Sequence, residues 1–281
     1  MLQEATIPLS DAPAYITSRT RSDLIIVLPA YNEADNLEPL IHSLSELLAG
    51  QAYEIVVVDD GSRDGSAEIL ERLSLSNPIH VVAHPANQGL GQTILDGLRY
   101  ACGRVAPDSV IITMDADQTH PVAIIPELVR EIKAGCDMAI ASRYRFGSQI
   151  LGLSLFRKIL SYGASLLFQV LLPARGVRDY TCGYRAYRTR SLCAALKHYG
   201  DGLVGGSGFE CMAGILFRFR ALGFRFAEVP FILRYDRKLG ESKMRIGRTI
   251  VSTLKLAAAA RRAGYCSNIL RPLNTVAGRD A

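Results

Sequence analysis

Ser109-Val110-Ile111-Ile112-Thr113-Met114-Asp115-Ala116-Asp117-Gln118-Thr119-His120-Pro121 decides how the rest of this 281-residue chain is read. Its first six residues are a short apolar run rich in β-branched side chains, which reads as a buried strand. The run delivers Asp115 and Asp117 to its carboxyl end, and in open α/β sheets that is where ligands bind. Two hard oxygen donors this close together also suit a Mg²⁺ or Mn²⁺ ion bridging a diphosphate. Alone, Asp-x-Asp fits a solvated turn as well, so its meaning rests on what surrounds it.

Upstream, Leu24 to Leu28 is an apolar strand ending at Pro29, and Asn32-Glu33-Ala34-Asp35-Asn36 offers a helix start with capping candidates. Leu37, Leu40, Ile41, Leu44, Leu47 and Leu48 then recur at helical spacing. A second strand, Glu54 to Val58, ends in Asp59-Asp60-Gly61-Ser62, with a helix from about Ser66. A third strand spans Ile79 to Ala83, and a helix from about Leu90 to Cys102 leads back to the opening strand. Helix Pro121 to Ala134 and strand Asp137 to Ala141 continue an alternation that implies a parallel sheet. Beyond Arg143 the pattern changes to a long helical stretch from Leu155 to Leu172 and a motif-rich loop from Arg178 to Tyr187. A helix near Phe209 to Leu222 and a strand from Arg225 to Leu233 follow.

A hydrophobic content of 49% with 21% charged residues is globular composition and excludes a mainly disordered chain. No run reaches the roughly 18 to 20 apolar residues that a membrane span needs, and Glu4 and Asp11 sit where a signal peptide avoids acids. These features lead us to expect a cytosolic protein. The six cysteines show no C-x-x-C spacing, so neither a zinc site nor a disulfide framework is expected. From Arg234 onward eleven Lys and Arg outnumber three acids, a basic tail without the aromatic interleaving or module of a nucleic-acid binder. Dinucleotide binding is disfavoured too. Gly89-Leu90-Gly91 opens a helix, but Ile94 stands where the last Gly of the fingerprint belongs, and the first strand-to-helix turn contains no glycine.

Acidic residues follow three of these strands, at Glu33, at Asp59 with Asp60, and at Asp115 with Asp117. On a parallel sheet the three ends share one edge, so the carboxylates converge on one crevice. Their repulsion costs stability unless a cation or hydrogen-bond donors sit among them.

These residues resemble a known family. Pro29-Ala30-Tyr31-Asn32-Glu33, Asp59-Asp60-Gly61-Ser62-Arg63-Asp64-Gly65-Ser66, the Asp-x-Asp with His120-Pro121, and Ser142-Arg143-Tyr144 look like family 2 glycosyltransferases. That family has a GT-A nucleotide-sugar domain, an α/β, Rossmann-like fold with a mostly parallel sheet and flanking helices. Asp179-Tyr180-Thr181-Cys182-Gly183-Tyr184-Arg185, and Asp236-Arg237 with Gly240-Glu241-Ser242-Lys243, are similar to the branch that mannosylates dolichyl and other polyprenyl phosphates. The resemblance covers about Leu24 to Lys243, which gives an N-terminal extension over 1–22 and a GT-A domain over 23–243, and the residue pattern beyond reads as a basic amphipathic C-terminal helical extension over 244–281. The resemblance makes Pro29, Tyr31, Glu33, Asp59 and Asp115 nucleotide-binding, and Asp115, Asp117 and Thr119 ligands of Mg²⁺ or Mn²⁺. Arg237 and Lys243 become catalytic cations of a loop closing over the donor, beside Asp117 and Arg143. Arg143, Arg157 and Ser161 fall at positions that receive the acceptor phosphate. Thr119 stands where the branch usually carries Gln.

The implied reaction is inverting transfer of a hexose from a nucleoside-diphosphate sugar, GDP-mannose ahead of UDP-glucose, to a polyprenyl phosphate at the cytosolic membrane face. A phosphate monoester, with a second pKa of about 6, is largely ionised at neutral pH and needs no general base. A sugar or lipid hydroxyl does need one. Glu210 is the candidate base for that alternative, and a non-catalytic nucleotide-sugar binding protein is the alternative of another class. Between Arg245 and Arg262, Ile246, Ile250, Leu254, Ala257 and Ala258 share one helical arc opposite Arg245, Arg248 and Lys255, a pattern suited to an anionic membrane surface. Leu155 to Leu172 is the other candidate membrane contact, and a membrane-anchored partner is a further route to the bilayer.

Overall fold

A computed structural model describes residues 22–171, 173–205, 208 and 210–237 of the chain. The expected amphipathic extension over 244–281 and nearly all of the N-terminal extension lie outside the described residues, as does Lys243.

The elements in chain order are β1 (Leu24–Ala30), α1 (Ala34–Leu47), β2 (Tyr53–Asp59), α2 (Ser66–Ser74), β3 (Ile79–Ala83), α3 (Leu90–Arg104) and β4 (Val110–Thr113). Then come α4 (Ile125–Lys133), β5 (Met138–Ser142), β6 (Gln149–Leu151), α5 (Leu155–Leu171), β7 (Arg185–Arg188) and α6 (Thr189–Tyr199). The described chain closes with α7 (Glu210–Ala221), β8 (Phe226–Pro230) and β9 (Ile232–Arg234). Seven strands form one sheet in the order β3-β2-β1-β4-β7-β5-β8, and β6 pairs with β9 in a separate ribbon. Ile25 to Leu28 and Ile55 to Val58 are sealed from solvent, so both faces of the central strands are covered. That is why these strands read as continuous apolar runs rather than alternating ones. Helix α3 comes very close to the sheet: a Cβ on Gly97 would lie 2.5 Å from Val27 Cγ1.

The strand order reverses between β1 and β4, with β2 and β3 on one side and β4 on the other. Such a reversal splays the following connections apart and opens a crevice at the carboxyl ends of the strands. The register sharpens this opening. The β1–β4 ladder ends at Val27 opposite Thr113, while β1 runs on beside β2 to Ala30 opposite Asp59. Val27 O accepts from Met114 and Ala30 O from Asp60, so alternation turns Pro29 toward the side where β4 has already ended. A proline, with no N–H to donate, fits there.

The sheet is mostly parallel as expected, with one departure. Within the stretch read as a loop from Arg178 to Tyr187, Arg185 to Arg188 forms β7, antiparallel to both β4 and β5. Its Arg-Ala-Tyr-Arg sequence carries no strand-like apolar signal. The strand becomes possible because the Arg185 guanidinium, though fully buried, donates to the carbonyls of Tyr180, Cys182 and Met212. The single strand read from Arg225 to Leu233 is two, β8 and β9, broken at Phe231 and placed in different sheets. Helix α6 was not legible beforehand, and the helix read from Pro121 is a 3-10 turn over Val122–Ile124 followed by α4.

Candidate active site

The crevice is built from three strand-end loops that fasten one another. After β1, Asn32 adopts φ +52, and after β4, Gln118 adopts φ +60; these are the two non-glycine residues with positive φ among the described residues. Strained backbone of this kind clusters at functional sites. The start of α1 is held by the loop after β2 rather than by its own capping candidates: Glu33 N–H donates to Ser66 Oγ (3.1 Å) and Ala34 N–H to Asp64 Oδ2 (3.0 Å). Asn32 N–H donates to Ser62 Oγ, and Arg63 N–H to Asn32 Oδ1, each at 2.9 Å. Gly61, at φ +72, has room only for hydrogen, since a Cβ there would sit 2.7 Å from the Ala86 backbone.

Donors answer the expected repulsion among the carboxylates. Asp59 Oδ1 accepts from Ser62 N–H (3.0 Å), and Glu33 Oε2 from Asn36 Nδ2 (2.7 Å). Asp60 takes the amides of Gln88 (2.8 Å) and Gly89 (2.9 Å). Asp117 is buried, and its Oδ1 receives both the hydroxyl (2.7 Å) and the N–H (3.2 Å) of Thr119. The Thr119 hydroxyl therefore spends its hydrogen on Asp117 and positions that carboxylate. Asp115 is the more open of the pair, with its side chain 31% exposed. His120 Nδ1 accepts the Asp115 N–H (3.0 Å) while the ring stacks on Tyr184, so the imidazole pins the strand end from behind. Gly183 lies against the same group, its would-be Cβ 3.2 Å from Asp115 Oδ1.

Among the described residues no group of three or more His, Cys, Asp or Glu is arranged to hold a metal. Mg²⁺ usually keeps several waters and takes one or two carboxylates together with substrate phosphates. The Asp115–Asp117 pair fits a metal shared with a diphosphate and does not fit a closed protein cage.

Arg143 follows β5 on the far side of β7. Its Nε and Nη2 clamp the two oxygens of Asp179, each at 2.7 Å, and Nη2 also reaches Thr181 Oγ1 (2.8 Å). Asp179 is fully buried. Burial alone pushes its carboxyl up, but the Arg143 charge and the hydrogen bonds from Arg143 and Cys182 outweigh it and hold the group below the usual carboxylate range. Arg143 thus arrives already paired, and among the described residues its Nη1 makes no hydrogen bond. Next to it, Tyr144 Oη meets Ser161 Oγ of α5 at 2.6 Å. Arg157, one turn earlier on α5, makes no ion pair among the described residues. Glu228 ties the loop down by accepting both the Arg178 and Asp179 amides at 2.7 Å. Its Oε2 lies 2.9 Å from Arg145 Nε, close enough to pair in charge yet misaligned for a hydrogen bond. Burial pushes the Cys182 thiol up to about 12, with Asp179 adding to the effect, so it is no nucleophile.

Helix α5 turns Phe168 and Ser165 inward, with Ser165 Oγ donating to Arg178 O (2.5 Å). Leu155, Ile159, Tyr162, Leu166 and Val170 form a stripe on its outer side, each more than half exposed. Phe146, in the loop after Arg143, is fully exposed. No described helix is long and apolar enough to cross a membrane.

Of the residues read from the sequence, Pro29, Tyr31, Glu33, Asp59, Asp115, Asp117 and Thr119 lie at the carboxyl ends of β1, β2 and β4, while Arg143 follows β5 and Arg157 and Ser161 sit on α5, which Tyr144 joins through Ser161. Glu210 opens α7 and Arg237 closes a 3-10 turn over Tyr235–Arg237, but both side chains lie outside the described residues. Sequence reading missed Asp179 as the partner of Arg143, although it stood in the quoted motif. It also missed His84, which carries no local signal at all.

The mostly parallel sheet with flanking helices and a crevice at the strand reversal is a GT-A-like fold. The chain belongs to the family described as Glycosyl transferase family 2, which residues 25–194 match. It is 35% identical over 232 residues to a dolichol-phosphate mannosyltransferase of Pyrococcus furiosus, covering 82% of this chain and 61% of that one. A polyprenol monophosphomannose synthase of Mycolicibacterium smegmatis is 34% identical, covering 81% of this chain and 83% of the relative. An undecaprenyl-phosphate mannosyltransferase of Micrococcus luteus is 31% identical, covering 86% and 96%. Among solved structures, glucosyl-3-phosphoglycerate synthase of Mycobacterium tuberculosis, in complex with Mn²⁺, UDP and glucosyl-3-phosphoglycerate, superposes with a TM-score of 0.58 at 21% identity. That match covers 87% of this chain and 80% of the other, and at such low identity it speaks to the fold alone.

Proposed function

We propose that this protein is an inverting hexosyltransferase that moves a sugar from a nucleoside-diphosphate donor to a polyprenyl phosphate at the cytosolic face of a membrane. The observation that carries the reading is the adjacency of three features: the acidic crevice at the strand reversal, the arginine-bearing loop after β5, and the outward apolar stripe of α5. The names of the three relatives support mannose as the sugar and a polyprenyl phosphate as acceptor, and we take GDP-mannose as donor with UDP-glucose second.

In this reading Pro29, Tyr31, Glu33 and Asp59 line the nucleoside side. Asp115 and Asp117, with Thr119 as the third candidate, would hold Mg²⁺ or Mn²⁺, which would neutralise charge on the leaving group. Thr119 keeps Asp117 turned toward that position. The remaining edge of Arg143, with Arg157 and Ser161, orients the acceptor phosphate. That phosphate is ionised at neutral pH, so orientation in line with the anomeric carbon suffices and no side chain need remove a proton. Arg237 and Lys243 add positive charge over the diphosphate. The α5 stripe, with Phe146, dips into the acyl boundary so that the lipid phosphate meets the crevice without leaving the bilayer.

The test is transfer of radiolabelled sugar from GDP-mannose and from UDP-glucose to a polyprenyl phosphate in mixed micelles. Glycolipid should form with one donor and cease on chelation of divalent metal. It should fall about 10²- to 10³-fold in Asp117→Ala, the scale of losing a leaving-group stabiliser. Unchanged turnover in Asp117→Ala sinks the mechanism. Activity without any phosphate acceptor, lost in Glu210→Gln, points instead to a hydroxyl acceptor.

A further inference from the structure

His84 follows β3 and its side chain is completely buried. Its N–H donates to Asp59 O (2.8 Å), and its Nδ1 lies 2.7 Å from Asp60 Oδ1. On the other side of the ring, Nε2 lies 3.3 Å from Asp96 Oδ2 of α3, near enough for charge attraction but off line for a hydrogen bond. Asp96 is itself held by Gln92 Nε2 (2.8 Å), with Arg99 Nη1 at 3.9 Å and Arg99 paired in turn with Asp201. The charged groups facing the imidazole are therefore Asp60 from the end of β2 and Asp96 from α3, with Arg99 behind Asp96.

Asp60 already accepts the amides of Gln88 and Gly89, and a carboxylate only accepts, so Nδ1 must carry a hydrogen to stay at 2.7 Å. The ring thus bears on two pieces of the nucleotide side at once: the Asp59-Asp60 strand end and the Gln88-Gly89 turn that starts α3. Gly61, packed on the Ala86 backbone, ties the two together.

We propose that His84 is a positioning residue for the nucleoside diphosphate: wedged between Asp60 and Asp96, it holds the strand end and the turn in their binding shape. The proposal rests on the nucleotide-sugar reading above.

Titration calorimetry of the full chain with GDP and with UDP, in MgCl2 at neutral pH, reads this directly. His84→Ala leaves Asp60 without its side-chain donor and should bind about tenfold more weakly, the worth of a hydrogen bond to a charged group. His84→Gln retains one donor for Asp60 and should recover most of that affinity. In turnover the loss in His84→Ala should fall on the donor KM rather than on kcat. Asp60→Asn, which weakens the same contact from the other side, provides a second measurement should His84→Ala not fold, and it should raise the donor KM in the same way. Variants that bind with wild-type affinity, or a His84→Gln protein that binds no better than His84→Ala, overturn the role of His84 and leave the functional reading standing. Failure of wild type to bind either nucleotide removes both.

Discussion

At the scale of single residues, the site depends on how its charges are satisfied. Thr119 illustrates this, since one hydroxyl fixes which way Asp117 turns. Thr119→Val keeps the shape and removes that hydrogen bond. Metal-dependent donor binding, read as the Mg²⁺ concentration at half-maximal turnover, should weaken about tenfold, the worth of a hydrogen bond to a charged group. An unchanged Mg²⁺ requirement would show that Asp117 needs no such support. Asp179 makes the converse point. Asp179→Asn leaves the Arg143 charge mostly buried and unpaired, and urea unfolding at pH 7 should register a loss of roughly 3 kcal/mol, the lower end for a broken buried pair because Arg143 keeps an edge in solvent. The sign with pH follows from its lowered folded-state pKa. The stabilisation is complete above the unfolded Asp value of about 3.9 and is lost as pH falls through the folded value. Wild type should therefore lose stability on acidification more steeply than Asp179→Asn.

At the scale of elements, α5 stands apart because it is apolar on two faces. One is used for packing: Phe168 is fully buried and stacks on Tyr180. The other is the outer stripe, and a stripe that buries nothing contributes little to folding. Ile159→Asp together with Leu166→Asp should leave the melting temperature within about 2 °C of wild type, as exposed substitutions ordinarily do. The same pair should abolish flotation with anionic liposomes at low salt. Retained flotation would move membrane contact away from α5, to the basic segment after Arg234. The element scale is also where sequence reading fell short. The parallel strands β1 to β4 were legible because each is a β-branched apolar run flanked by turn residues. Strand β7 was not, because Arg185 at its start is made acceptable only by three carbonyls that arrive from Tyr180, Cys182 and Met212.

At the scale of the whole molecule, the site is an assembly of loops from β1, β2, β4 and β5 that a ligand should brace against one another. Anything that binds the folded chain and not the unfolded one stabilises by mass action, about 2.7 kcal/mol at a hundredfold excess over its Kd. For a chain of this size that is a rise of several degrees in melting temperature. A thermal-shift panel of GDP, UDP and ADP, with and without Mg²⁺, should give that rise for one base and only with the metal. Equal shifts without metal would detach Asp115 and Asp117 from the diphosphate.

The sequence by itself determined the strand and helix alternation, the acidic ends of three strands and membership of the motif series, because these depend on local periodicity and on residue types at short spacing. The placement of Glu33, Asp59, Asp115 and Asp117 at strand ends was readable on that basis. Only the tertiary structure decided that β7 divides the sheet, that Asp179 holds Arg143, that Thr119 serves Asp117, and that His84 lies between Asp60 and Asp96. Each of those facts is a contact between residues far apart in the chain. A side chain's charge and hydrogen-bond partner are set by what the fold brings beside it, and no local pattern encodes that neighbour.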